Sequence, residues 1–261
     1  MDRTRGAGLR LTAISVIPLA PLPPVRAGDD LARLIGAAAP ADLGDGDVLV
    51  LAHKVVSKAE GRLRRLDEIE PGGEARALAK EHRKDARLVQ AVLDESAELL
   101  RAVDGTLICL THHGFVCANA GVDQSNASAE GDELVLLPED PDGSAARLRA
   151  QLADALGVRP AVVIADSFGR AWRIGQVDVA IGAAGLVPLD QWIGRRDAFG
   201  RDLRVTSIAV ADAVAAAADL ARAKDSLEPA VLVRGLGRYV TEEDGPGAGA
   251  LRRSAADDLF R

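Results

Sequence analysis

Two short segments hold the residues best suited to chemistry, NAGVDQSN (119–126) and ADSFGRAWRIGQ (165–176). Each sets an aspartate, Asp123 or Asp166, at the end of an apolar run. Small hydroxyl or amide side chains follow: Ser125 and Asn126 in the first, Ser167 in the second. Their oxygens are hard donors in open loops. Such donors suit Mg²⁺ or Mn²⁺, which keep several waters and complete their shell with substrate phosphate oxygens. Nucleotide-dependent chemistry is therefore expected, rather than a binding scaffold. Taken singly, each aspartate reads as a loop or cap residue. The pair is 43 residues apart in sequence. If they meet, they need a cation between them or a raised pKa on one of them.

Cations follow a similar logic. HKVVSKAEGR (53–62) places Lys54, Ser57, Lys58 and Arg62 just past an apolar run. One reading is a phosphate clamp with Lys58 as a point charge. The other is a solvated basic turn, which the segment alone favours. The stretch 170–204 holds Arg170, Arg173, Arg195, Arg196, Arg201 and Arg204 among glycines. A guanidinium grips phosphate or carboxylate in a bidentate fork, so an anionic ligand and a solvated loop are equally supported there. His112 and His113 have no metal-spaced partner and read as turn or edge residues. Cys109 and Cys117 have no triad-like context and read as buried thiols in neighbouring strands. No G-x-x-x-x-G-K-[ST] or G-x-G-x-x-G signature is present, since Gly235 and Gly237 lack a third glycine.

Composition narrows the class. The chain has 261 residues, 48% hydrophobic and 27% charged, which is globular. Aromatics are only 3%, so the core must rest on Ala, Val, Leu and Ile. A formal charge of −7 argues against a nucleic-acid footprint. No apolar window is long enough for a membrane helix. The N-terminal apolar run is broken by Pro18, Pro21, Pro23 and Pro24, which argues against a signal peptide and for a strand entering a proline-shaped loop. A cytoplasmic protein is expected.

These side chains need elements to position them. Strands are predicted over 12–18, 47–57, 133–138, 161–167 and 229–236, with a hairpin of 106–110 and 114–122. Helices are predicted over 28–39, 73–83 and 86–100, with another ending at Gly157. Residues 204–223 read as a strand running into an alanine-rich helix, and 180–189 as a glycine-rich apolar segment. The mixture has no clean βαβ rhythm, so the fold class is α+β rather than a doubly wound sheet.

VVSKAEGR, NAGVDQSN, DPDGSA, VVIADSFGRAWRIGQ, WIGRRDAFGR and PAVLVRG occur in this order. Together they resemble the coenzyme F420-0:L-glutamate ligase family, over about residues 14–260. The resemblance implies an irregular α+β fold of two intertwined subdomains, forming one ligase domain over 12–261, and a homodimer. No C-terminal flavin-dependent reductase domain is expected. The implied reaction uses GTP to phosphorylate the terminal carboxylate of the lactyl group on F420-0. The amine of L-glutamate then attacks the acyl phosphate, and later glutamates are added through γ-linkages. Mg²⁺ or Mn²⁺ is implied, with K⁺ as an aid. By the same resemblance Asp123 and Asp166 are metal-binding, with Ser167 beside a second metal where relatives often have threonine. Leu22, Pro23, Pro24 and Val25 match a nucleotide-holding loop. His53, Lys54, Lys58 and Asn126 match further nucleotide contacts. In ARAKDSLE (221–228) Ala223 stands where some members carry a second-metal Gln or Glu, leaving Lys224 for phosphate or Asp225 for the metal. Arg170, Arg173, Arg195 and Arg196 are candidates for the anionic substrates. Rival readings are another carboxylate acceptor, a non-catalytic nucleotide-binding module and a metal-dependent phosphohydrolase.

Overall fold

The computed structural model describes residues 13–125, 131–223 and 225–258. The first half contains β1 (Ser15–Pro18), α1 (Leu31–Ala38), β2 (Val48–Ala52), α2 (His53–Ala59), β3 (Leu63–Arg65), α3 (Gly73–His82), α4 (Ala86–Asp94), β4 (Ser96–Val103), β5 (Thr106–Thr111) and β6 (Val116–Ala118). The second contains β7 (Glu133–Val135), α5 (Pro141–Leu156), β8 (Ala161–Arg170), β9 (Arg173–Ala184), β10 (Leu189–Gln191), β11 (Ser207–Ala209), α6 (Val210–Asp219) and β12 (Ala230–Arg234).

The central sheet has five strands in the order β1-β12-β2-β8-β9. Only β2 and β8 run parallel in it. Their sequences, VLVLA and AVVIA, show no polar alternation because both faces are covered. Leu49, Leu51, Val162 and Ile164 pack against α1 and α5. Val48, Val50, Val163 and Ala165 pack against α6, whose alanines allow a close approach. A third core joins α3 and α4 to the three-stranded sheet β4-β5-β6. No Phe, Trp or Tyr is among the buried hydrophobic side chains of the described residues, as the low aromatic content predicts. Among the same residues no helix is long and apolar enough to cross a membrane. Helices and mixed strands together make this an α+β fold.

Helix termini follow the local chemistry. Asp30 caps α1 by accepting from the Arg33 N–H at 3.0 Å, and Asp140 caps α5 by accepting from Gly143 N–H at 3.0 Å. Gly157 closes α5 at φ 70°, a left-handed position that suits glycine.

Three segments depart from the sequence-based expectation. The strand expected over 47–57 stops at Ala52, and His53 to Ala59 is helix. Val55 and Val56 favour strand, but His53, Val56 and Ser57 fall on one helical face and are buried there. Burial overrides β-propensity. The helix expected over 86–100 stops at Asp94, because Ser96–Val103 pairs with β5. The turn between them is Asp104-Gly105 with φ 49° and 80°, the positive-φ pair of a tight hairpin. Finally, the first part of the arginine-rich stretch is a long antiparallel hairpin, β8–β9, rather than loop.

The contact between α5 and β9 depends on a missing side chain. A Cβ on Gly182 would run into the carbonyl of Pro141, at the first turn of α5. Backbone cannot swing aside as a side-chain tip can. Gly182→Ala is expected to cost about 1–3 kcal/mol through overpacking. Thermal unfolding checks this, and an unchanged midpoint would contradict the packing account.

Candidate active site

The site forms at the carboxyl ends of the parallel pair, where ligands bind in open sheets with parallel strands. Ala52 of β2 lies opposite Ala165 of β8. The next residue on each strand, His53 and Asp166, therefore emerges side by side. His53 Nε2 is 3.4 Å from Asp166 Oδ1, and His53 Nδ1 is 3.3 Å from Ser57 Oγ. Asp166 also accepts from the Ser167 N–H at 2.8 Å. Burial pushes the Asp166 carboxyl above its ordinary value. His53 and the Ser167 N–H oppose that, while the Asp123 and Asp178 charges add to it. Burial holds His53 below its ordinary value, against the pull of Asp166.

Helix α2 carries the next contact. Lys54 Nζ lies 2.7 Å from Asp123 Oδ2 and donates to the carbonyl and hydroxyl oxygens of Ser125 at 2.9 and 2.8 Å. Ser125 returns its N–H to Asp123 Oδ1 at 2.7 Å. A strained turn delivers Asp123 to this position. Asn119 and Ala120 both sit at φ 52° and Gly121 at 74°. Non-glycine residues held left-handed cost of order 1–3 kcal/mol each and cluster at functional sites. Past the turn, Asp123 and Val135 exchange backbone hydrogen bonds at 3.0 and 2.8 Å, which anchors the aspartate. Burial pushes Asp123 up, but hydrogen bonds from Lys54 and Ser125 and the Lys54 charge outweigh it. The net shift is downward, opposite to that of Asp166.

Lys58 lies one turn beyond Lys54 on α2. Partial burial, and then the Lys54 charge, hold Lys58 below its ordinary value, while Glu133 pulls it up. An anion beside Lys58 would relieve the effect of the Lys54 charge on it. The 22–25 loop reaches the same place. Leu22 donates its N–H to the Leu227 carbonyl at 2.9 Å, and Gly28 donates to the Ala59 carbonyl at the end of α2 at 2.8 Å. Leu22 and Val25 are buried, which leaves Pro23 and Pro24 presented outward. Asn126 and Lys224 lie outside the described residues. The structure thus gathers Asp123, Asp166, His53, Lys54 and Lys58 around α2, with the 22–25 loop and residues 225–229 alongside.

Ser167 points its hydroxyl to Asp178, donating to Oδ1 at 2.6 Å. The other Asp178 oxygen accepts from Arg222, and Arg222 also donates to the Pro229 carbonyl at 3.1 Å. Both partners of this ion pair are almost fully buried. Sequence reasoning missed them. The only signal was a charge inside the apolar stretch VDVAIG. The four candidate arginines are not gathered at the centre. Arg170 turns back to the Ile174 carbonyl at 2.7 Å at the exposed end of the β8–β9 hairpin, and Arg173 is exposed across from it. Arg195 lies over the Trp192 ring at 4.8 Å, and Arg196 pairs with Asp202 at 3.6 Å on the surface.

The model of the F420-0:Gamma-glutamyl ligase family matches residues 20–235, which spans every element of this site. The chain belongs to that family. It is 46% identical to the coenzyme F420:L-glutamate ligase of Methanopyrus kandleri over 97% of this chain and 99% of the relative. The protein of the same name from Methanothermobacter thermautotrophicus is 46% identical over 95% and 99%. That of Methanocaldococcus jannaschii is 38% identical over 91% and 94%.

The donor set of this family member suits a divalent cation held in part by substrate. Among the described residues no group of three or more His, Cys, Asp or Glu forms a closed cage. Two carboxylates are present instead, and the Asp123 charge helps to raise the largely buried Asp166. Mg²⁺ takes one or two carboxylates and fills its remaining positions from water and phosphate. Asp123 and Asp166 match that requirement.

Proposed function

We propose that the chain is a GTP-dependent ligase joining L-glutamate to F420-0, and then further glutamates through γ-linkages. GDP and phosphate are released by way of an acyl phosphate. The carrying observation is the convergence on α2 of two carboxylates and two ammonium groups at the carboxyl ends of β2 and β8. Phosphoryl transfer asks the protein mainly for positioning and charge compensation. Lys58 and Lys54 offset the phosphate charge, and the 22–25 loop with residues 225–229 borders the nucleotide. Asp123 and Asp166 hold Mg²⁺ or Mn²⁺, and Ser167 stands beside them. When bound, the ion neutralises charge on the transferred group. His53 is buried beside Asp166, whose carboxylate is oriented by the Ser167 N–H. No protein nucleophile is required, and Cys117 has its thiol pushed up to about 12 by burial and by the Asp166 charge, which removes it from that role.

A homodimer belongs to the same reading, with K⁺ as an aid to turnover. Trp172, Ile174, Phe199 and Val205 are each more than four-fifths exposed on the hairpin end and the loop after it. Such a set on a soluble surface marks an association site, and a second copy is the simplest partner.

The test is phosphate release from GTP, with and without L-glutamate, in the presence of F420-0 and Mn²⁺. Glutamate-dependent release supports the ligase, and equal release in its absence points to a phosphohydrolase. Lys58→Ala is expected to weaken GTP binding about 10- to 100-fold, the loss of one charge-assisted contact. Calorimetry of GTP binding reads this directly, and an unaltered affinity counts against the clamp.

A further inference from the structure

A cavity of about 280 Å³ lies between the turn after β5, the start of α5 and residue 252, apart from the aspartate centre. Its lining carries both signs of charge, Arg252 against Glu139, Asp140 and Asp142, beside apolar Phe115 and Ile181. Two of the carboxylates are committed to the fold. Asp140 caps α5, and Asp142 accepts from the N–H groups of Ala183, Ala248 and Gly249 at 2.8, 2.7 and 3.1 Å. Glu139 is not committed. Its side chain is 81% exposed and, among the described residues, reaches only Arg62, at 3.5 Å.

Two further groups are available. The Arg252 guanidinium lies over the Phe115 ring at 5.6 Å and makes no ion pair among the described residues. His113 stacks on the same Phe115 ring, with the centroids 5.9 Å apart. Its Nε2 is 2.8 Å from the Pro138 carbonyl. A carbonyl only accepts, so Nε2 carries the proton of the neutral ring and Nδ1 is left as an acceptor. That Nδ1 is buried without a partner, and an orphaned buried acceptor calls for a donor.

We infer that this cavity is the subsite for the free amino-acid co-substrate, bound as a zwitterion. Its carboxylate pairs with Arg252, and its ammonium faces Glu139 and His113 Nδ1. A phosphate would meet three carboxylates, and a simple cation would meet Arg252. Only a ligand carrying both charges matches the lining. Two aromatic rings link the cavity to the aspartate centre. Phe115 meets Phe168 edge-on at 6.2 Å, and Phe168 lies two residues past Asp166 on the same face of β8. The assignment of the ligand as L-glutamate rests on the ligase reading above. The last residue of an already extended glutamyl tail offers carboxylates too, but its amine is spent in an amide and it brings no ammonium for Glu139.

Steady-state kinetics with F420-0, GTP and Mn²⁺ test this on wild type, Arg252→Ala, Arg252→Lys and Glu139→Gln. Arg252→Ala is expected to raise KM for L-glutamate about 10- to 100-fold and to leave KM for GTP within about twofold. Arg252→Lys should recover part of the loss, since it restores charge without the fork. Glu139→Gln should also raise KM for L-glutamate. An unchanged glutamate KM in Arg252→Ala overturns the inference. So does a rise confined to KM for the mono-glutamylated acceptor, which would assign the cavity to the tail. Calorimetric titration with L-glutamate reads the cavity without turnover. Arg252-dependent binding to a wild type that forms no product would support the subsite and sink the ligase reading alone.

Discussion

Asp166→Asn abolishes turnover and leaves the protein folded. Asparagine has nearly the same shape, keeps an acceptor for the Ser167 N–H and removes only the charge that His53 and Asp123 face. Loss of a preorganised charge at a phosphoryl-transfer centre is expected to lower turnover about 10³-fold or more. Stability should move the other way in the absence of metal. Burial raises the Asp166 pKa above its unfolded value. The folded state therefore holds its proton more tightly than the unfolded one, and stability is lost as pH rises through the folded value. At neutral pH the wild type carries that penalty, and asparagine does not. The metal-free variant should thus melt no lower than wild type, and Mn²⁺ with GTP should raise the wild-type midpoint but not that of the variant. A well-folded variant that keeps wild-type turnover would remove Asp166 from the metal site.

Arg222→Met carries the largest expected effect on stability. Arg222 and Asp178 are 44 residues apart and both almost fully buried. Removing one partner strands a charge in the interior, which typically costs about 3–5 kcal/mol. For a domain of this size that is a fall of roughly 6–20 °C in the thermal midpoint. The same arginine donates to the Pro229 carbonyl, so its loss also loosens the chain at Pro229 beside the site. Asp178→Asn combined with Arg222→Met should recover much of the stability. The stranded charge is then gone, and asparagine can still accept from Ser167. A single Arg222→Met variant that melts with wild type would show that this pair is not a structural tie.

Much of the frame is legible in the residues alone. The apolar runs VLVLA and AVVIA read as buried strands because nothing polar interrupts them, and Asp30 and Gly157 mark helix ends by their own chemistry. The Asp104-Gly105 hairpin was missed, although the dipeptide is a turn signal. Helix-forming residues around Glu98 and Leu100 masked it, and pairing with β5 decided the outcome. The helical state of HKVVSKA was not legible, because its two valines favour strand and only burial of one face makes it helical. For the site, the two aspartates stand out as a pair, while the two lysines alone read as a solvated turn. Their gathering around α2 depends on the parallel pairing of β2 and β8, which no local pattern shows. The arginines of 170–204 illustrate the converse. A local excess of charge does not say which way a hairpin turns it, and the structure spreads these four over exposed surface. Asp178 and Arg222 escape notice because a buried ion pair is a tertiary fact, invisible until both partners are placed.

The most direct test of the central claim is mass spectrometry of F420-0 incubated with the protein, L-glutamate, GTP and Mn²⁺, with controls lacking glutamate or metal and with ATP replacing GTP. The account predicts a mass gain of one or more glutamyl units that requires GTP and the metal. An unchanged F420-0 mass, with GTP bound to well-folded protein, would contradict it.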